Sequence, residues 1–126
     1  MRFFVDNNLS VNIVLGLRAF GEDVTHLTEC FPPEVQDVEL LKYIGEKGWF
    51  LITRDERIRY NVAEFAALKR YKVGAFFIGG KNRGRCALIR QIVRNWPRIK
   101  EQAAKNRTPF AYKVPPTGTK FKKYPL

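Results

Sequence analysis

The order of elements in this sequence predicts an α/β domain with a mostly parallel central sheet. Short strand-like runs alternate with segments of helical periodicity, the pattern of strand–helix–strand units. At least one run, "WFLIT" (49–53), is continuously apolar, as a strand covered on both faces must be. The length of 126 residues accommodates one such core and not two. Right-handed crossovers then bring the carboxyl ends of the strands to one rim, where the functional groups of these sheets collect.

"RFFV" (2–5) reads as the first buried strand. Ser10 caps a helix running to about Phe20, with Ile13, Val14, Leu17 and Phe20 on one face and Gly21 as its stop. "DVTHL" (23–27) is a short second strand, and the paired prolines of "TECFPPEVQ" make that stretch a loop. A second helix starts at about Asp37, turns Leu40, Leu41 and Ile44 inward and closes near Gly48, ahead of the third strand, 49–53. Beyond "RDERIRY", Asn61 and Glu64 have the spacing of a capping box, and Val62, Phe65 and Ala66 mark a third helix. "VGAFFIGG" (73–80) is a fourth strand. The next helix carries Leu88, Ile89, Ile92, Val93 and Trp96 on its apolar stripe; Pro97 is expected to interrupt it, with "RIKEQAAKN" as a further helix. From Thr108 onward four prolines and alternating lysines and aromatics read as an extended basic arm (108–126) packed on the body (1–107). There are no internal repeats.

Net charge is +11, and its distribution says more than its size. Residues 1–78 hold ten Lys/Arg and eleven Asp/Glu, whereas residues 79–126 hold thirteen Lys/Arg and the single acid Glu101. A near-neutral body with a basic last third suggests a polyanionic partner, most simply nucleic acid. No apolar run approaches the roughly 18 residues needed to cross a bilayer, which argues against a membrane partner. The early Asp6 and the lack of a small-residue cleavage site argue against a secretory signal, so a cytoplasmic location is expected. Cys30 and Cys86 are too few for a disulfide framework and read as free thiols.

The acids point to chemistry. Asp6 ends the first strand and Asp55 follows the third, so both belong to the same rim. Asp37 opens the second helix after a loop from the second strand and starts there too. Three convergent carboxylates repel one another unless a divalent cation offsets their charge, and Mg²⁺ or Mn²⁺ prefers such hard oxygen ligands. Phosphodiester hydrolysis is chemistry that such a cation supports. Taken singly, Asp6 or Asp37 suits a helix cap and Asp55 a turn; Glu39 suits the first-turn dipole, with an auxiliary role near a metal. Asn7 and Asn8 suit a sharp turn, or the orientation of a carboxylate. His26, the one histidine, lies in a strand pattern and reads as a core residue rather than a ligand.

Arg54, Arg57 and Arg59 follow the third strand directly and are placed to hold a phosphate backbone. Arg83, Arg90 and Arg94 recur at helical spacing, as solvated surface or as an electrostatic track. "GGKNRGR" (79–85), with Lys81 and Arg83, is basic and glycine-rich but lacks the ending of a phosphate-binding loop. In "TGTKFKKYPL", Lys120, Lys122 and Lys123 alternate with Phe121 and Tyr124, which either stack bases or pin the arm to the core.

In this order, "FFVDNNLS", "VTHL", "QDVELL", "GWFLITRDERIRYN", "AFFI" and "WPRI" resemble the PIN-like domains found as toxin components of toxin–antitoxin pairs, over nearly the whole chain. The resemblance implies a compact three-layer α/β sandwich and metal-dependent ribonuclease chemistry. Asp6, Asp37 and Asp55 stand at the positions of the family's acidic set and would hold Mg²⁺ or Mn²⁺. Asn8, Arg54, Arg57, Arg59, Lys81, Arg83 and Lys120 are then the expected RNA contacts. The resemblance also implies a cognate antitoxin as partner, and leaves a homodimer open. Related sequences often carry a glutamate where Asn7 stands. PIN nucleases usually carry a fourth acid late in the chain; here Glu101 alone lies beyond residue 78, in a segment not expected at the rim. The competing reading is a PIN-like module that binds RNA or protein without cleavage. A phosphoryl-transfer domain is disfavoured, since neither Asp6 nor Asp55 opens an Asp-x-Thr pattern.

Overall fold

The computed structural model describes residues 1–81 and 83–126; Asn82, within the basic stretch 79–85, lies outside the described residues. One six-stranded sheet has the order β2-β1-β3-β4-β5-β6, formed by Phe3–Val5 (β1), Val24–His26 (β2), Phe50–Thr53 (β3), Gly74–Ile78 (β4), Phe110–Val114 (β5) and Lys122–Lys123 (β6). All pairs are parallel except β5 with β6.

Side-chain alternation along the strands separates two cores. Phe3, Val5, Ile52, Phe76, Ile78, Phe110 and Tyr112 face α1 (Val11–Ala19) and α5 (Arg85–Lys105). Phe4, Leu51, Ala75, Phe77 and Ala111 face α2 (Asp37–Lys47), the one-turn α3 (Arg57–Tyr60) and α4 (Val62–Arg70). The expected mostly parallel, three-layer sandwich is therefore present. Helix limits follow local chemistry: the Ser10 hydroxyl accepts from the Asn12 amide to cap α1, and α2 closes at Gly48, whose φ of 69° is open to glycine. The two cysteines are free and exposed.

Three local expectations differ. Helix α5 runs unbroken through Pro97. A proline there costs about 3 kcal/mol. Trp96 and Ile99 are buried on either side of it, and each such side chain contributes about 1.5–3 kcal/mol, so burial wins. The buried stripe is also rotated from the expected one. Ile89 and Val93 are exposed, while Gln91 and Asn95 are buried. Gln91 lies inside because its Nε2 donates to the carbonyls of Gly79 (2.9 Å), Val114 (3.2 Å) and Pro115 (3.0 Å), tying the ends of β4 and β5 together. Finally, the C-terminal segment does more than lie on the body. Residues 110–114 form an internal strand of the sheet, with prolines 109 and 115 at its ends, where a missing amide is tolerated.

Candidate active site

The site grows from the carboxyl ends of β1 and β3. The Asp6 amide donates to the Ile52 carbonyl (3.0 Å), so the aspartate is held as an extension of the ladder. Its side chain is only 7% exposed. Asp6 Oδ1 accepts from the Asn7 amide (2.7 Å), and Oδ2 accepts from the Thr53 hydroxyl (2.8 Å) and the Asn8 amide group (3.4 Å). Thr53 Oγ1 in turn accepts from the Asp55 amide (2.9 Å) and from Asn8 Nδ2 (3.1 Å). One buried hydroxyl thus spaces the two strand-end aspartates.

The remaining carboxylates come from helix starts. Asp37 is the first residue of α2, one place past the capping residue Gln36, and lies in its first turn. Glu64 lies in the first turn of α4. Asn61 Oδ1 accepts from the Glu64 amide (3.0 Å), and no capping-box return bond from the Glu64 side chain accompanies it among the described residues, so the expected capping box is half formed. Glu39 is exposed on α2, and the carboxylates acting on Asp6 and Glu64 are those of Asp37 and Asp55.

Three of these acids titrate abnormally. Burial raises the Asp6 carboxyl; donation from Thr53 and Asn7 offsets part of that, and the charges of Asp37 and Asp55 raise it again. Glu64 is pushed up to about 7, first by partial burial, then by the hydrogen bond and charge of Asp37. Asp55 moves the other way. Arg57 grips it with Nε on Oδ1 (2.9 Å) and Nη2 on Oδ2 (3.0 Å), which holds the carboxyl below its usual range.

Among the described residues, no three acids, cysteines or histidines close into a ready-made cation cage. By donor chemistry alone, carboxylate oxygens such as those of Asp6, Asp37 and Asp55 are the hard ligands that Mg²⁺ or Mn²⁺ prefers, and Mg²⁺ is held by one or two carboxylates together with waters and substrate phosphate oxygens. His26 takes no part: its Nε2 meets the Leu9 carbonyl and its Nδ1 faces Thr28, both at 2.8 Å.

The expected RNA contacts divide. Arg54, Arg59 and Lys81 line a cleft beside Gly79 and Gly80. Asn8 is exposed, but its amide is taken by hydrogen bonds within the protein, since its Oδ1 also accepts from the Arg54 amide (3.0 Å). Arg57 is engaged by Asp55. Arg83 donates to the Pro116 carbonyl (2.9 Å), and Arg94 donates to Pro116 and Gly118 (both 3.1 Å), so both brace the loop after β5. Lys120 is exposed and stands outside the cleft. Phe121 and Tyr124 pack inward, against Tyr112 and Phe77 respectively. Glu101 pairs loosely with Lys105 (3.8 Å) on the surface of α5.

Reading from the sequence passed over two residues. Glu64 was available by the reasoning applied to Asp37, because α4 also starts at the rim. Thr53 was signalled by being the one hydroxyl at the end of an apolar strand.

A family model described as a PIN like domain matches residues 1–80, which include all four acids. No curated protein and no solved structure matches the chain. The chain belongs to the PIN-like domain family. Domains of this family are generally nucleases, and PIN-like nuclease domains act on RNA.

Proposed function

We propose that this PIN-like domain is a metal-dependent endoribonuclease and the toxin of a type II toxin–antitoxin pair. The observation that carries the nuclease reading is the Thr53 hydroxyl between the strand-end acids, donating to Asp6 and accepting from the Asp55 amide, where burial and then the charges of Asp37 and Asp55 raise Asp6 and Glu64. Carboxylates that raise one another disfavour their ionised forms, and chemistry that needs concentrated negative charge is the simplest reason to keep them. Asp6, Asp37 and Asp55 would hold Mg²⁺ or Mn²⁺, with Glu64 as the fourth donor and Glu39 auxiliary. Such an ion supplies charge neutralisation at a phosphodiester and lowers the pKa of water. Thr53 and Asn8 fix the Asp6 carboxylate. Arg57 keeps Asp55 ionised and competes with the cation for it.

The toxin role rests on the resemblance of the ordered motifs, with a cytoplasmic location to match. A small neighbouring gene for an acidic or DNA-binding protein is its direct test. No helix among the described residues is long and apolar enough to cross a membrane.

Incubating the protein with mixed RNA and Mn²⁺ tests the chemistry. Asp6→Asn is expected to reduce cleavage by about a hundredfold or more, since such a site supplies several kcal/mol to the transition state. Equal cleavage by both proteins, or none by either, would overturn the nuclease reading. RNA binding without cleavage would favour the inactive binding module, which the Arg57 clamp on Asp55 also suits.

A further inference from the structure

Across the end of β3 from the acids lies a cleft of about 420 Å³. Its walls carry Arg54, Arg59, Lys81, Lys113 and Lys122, against the single acid Glu56. Glu56 is itself engaged, accepting from Arg59 at 3.0 Å. Among the described residues, Lys81, Lys113 and Lys122 form no ion pair.

The cleft is built rather than incidental. Alternation along β5 turns Lys113 away from Tyr112 and Val114, toward the face covered by α2 and α4. Main chain at Gly79 and Gly80 contributes to the lining. A Cβ on Gly79 would come within 2.6 Å of the Lys113 side chain and 3.0 Å of the Val114 carbonyl, so only glycine leaves that lysine its place. The Arg54 guanidinium is held to the Gly80 carbonyl at 3.2 Å. Arg59 lies over the Tyr124 ring, 3.4 Å from its centroid. Tyr60 also lines the cleft and is 74% exposed; the Arg59 guanidinium covers one face of its ring, 5.1 Å from the centroid, so a base would stack on the opposite face.

We propose that this cleft seats a nucleotide of single-stranded RNA next to the one at the acids, with its phosphate among Lys113, Lys122 and Arg54 and its base stacked on Tyr60. The proposal rests on the ribonuclease reading and deepens it. Several cations with little internal compensation select a phosphate over a weaker anion, and they carry no base preference. An open aromatic face selects an unpaired base, because a duplex hides its base faces. Arg54 and Asp55 are adjacent residues, so one RNA strand following the rim passes the cleft and the acids in turn. β3, β4 and β5 are successive strands of the sheet, which makes the path from the strand before Asp55 to Lys113 about 10 Å long.

Fluorescence anisotropy of a labelled, mixed-sequence single-stranded RNA with the full chain in EDTA tests the cleft without turnover. Lys113→Gln with Lys122→Gln is expected to weaken binding about tenfold or more and to reduce the salt slope by about 0.7, one phosphate's worth. Tyr60→Ala is expected to weaken it about fivefold or more with the slope unchanged. Glu56→Gln is expected to tighten it, and the control Lys100→Gln with Lys105→Gln to leave it within about twofold. Binding by the lysine pair and Tyr60 variants within about twofold of the parent protein would overturn the proposal, as would equal affinity for a duplex of the same length. If RNA is cleaved but these variants bind normally, the cleft assignment alone falls. If the variants weaken binding as expected but Mn²⁺ produces no cleavage, the nuclease reading alone falls.

Discussion

The two sides of the β3 end handle like charges differently. On the β1 side, among the described residues, Asp6, Asp37 and Glu64 have no basic side chain hydrogen-bonded to them, and Asp6 and Glu64 are raised, by burial first and then by neighbouring acids. Beyond β4, the equally crowded basic side chains find carbonyl partners: Arg54 on Gly80, Arg83 on Pro116, and Arg94 on Pro116 and Gly118. A guanidinium satisfies itself on main-chain oxygen, whereas a carboxylate needs a donor or a cation. These arginines therefore settle into structural roles, while the cleft lysines Lys81, Lys113 and Lys122 form no ion pair among the described residues. Within the acids the same rule separates Asp55, clamped by Arg57, from Asp6, which has only neutral donors.

Thr53→Val should strain this contrast most. It removes the hydroxyl that donates to Asp6 and accepts from the Asp55 amide, at a cost of about 1–3 kcal/mol for groups left unsatisfied. Because that donation favours the charged form of Asp6, the loss should grow as pH rises through the Asp6 titration. Urea unfolding at several pH values reads this directly, and a pH-independent loss would remove Thr53 from the acid network.

Glu64→Gln is expected to have a smaller effect with a defined sign. Without metal, native Glu64 keeps its proton up to about 7, while the unfolded chain releases it near 4.5. The native state binds more protons in that window, so stability is full below it and falls as pH rises across it. The glutamine variant should flatten the slope and gain on the order of 1 kcal/mol at pH 8, after allowing for solvent screening of a half-exposed group. Identical slopes in EDTA would show that Glu64 does not share its environment with Asp37.

Arg57→Ala should act in the opposite sense on Asp55. The clamp keeps that carboxyl low, so the stability it provides is present above the ordinary range and is lost as pH falls through the depressed value. Removing the competing guanidinium should raise Mn²⁺ affinity about threefold by calorimetry, the scale of an exposed ion pair. Weaker binding would mean that Arg57 aligns Asp55 rather than competing for it.

Arg94→Gln should do least. Its carbonyl bonds brace residues 116–118, so a fall in Tm of a few degrees is expected, with RNA affinity within about twofold of the parent protein. A large loss of RNA binding would return the α5 arginines to the electrostatic track that helical spacing also allows.

Local pattern and chain order were enough to determine the alternation of β1 to β4 with their helices, the Ser10 cap, the Gly48 stop and the rim shared by Asp6 and Asp55. Each of these follows from periodicity or from parallel connection, which are properties of neighbouring residues. Tertiary structure alone decided the rest. Helix α5 ignores Pro97 because burial on both sides outweighs one missing hydrogen bond, and the 110–114 segment joins the sheet because β4 has a free edge to pair with. Glu64 is raised by burial and by the charge of Asp37, Thr53 joins two aspartates, and Lys113 enters a cleft lined by glycine. Those outcomes depend on which groups meet across large separations in sequence, where the cost of an unpaired charge or an unfilled face is set by the neighbour and not by the residue.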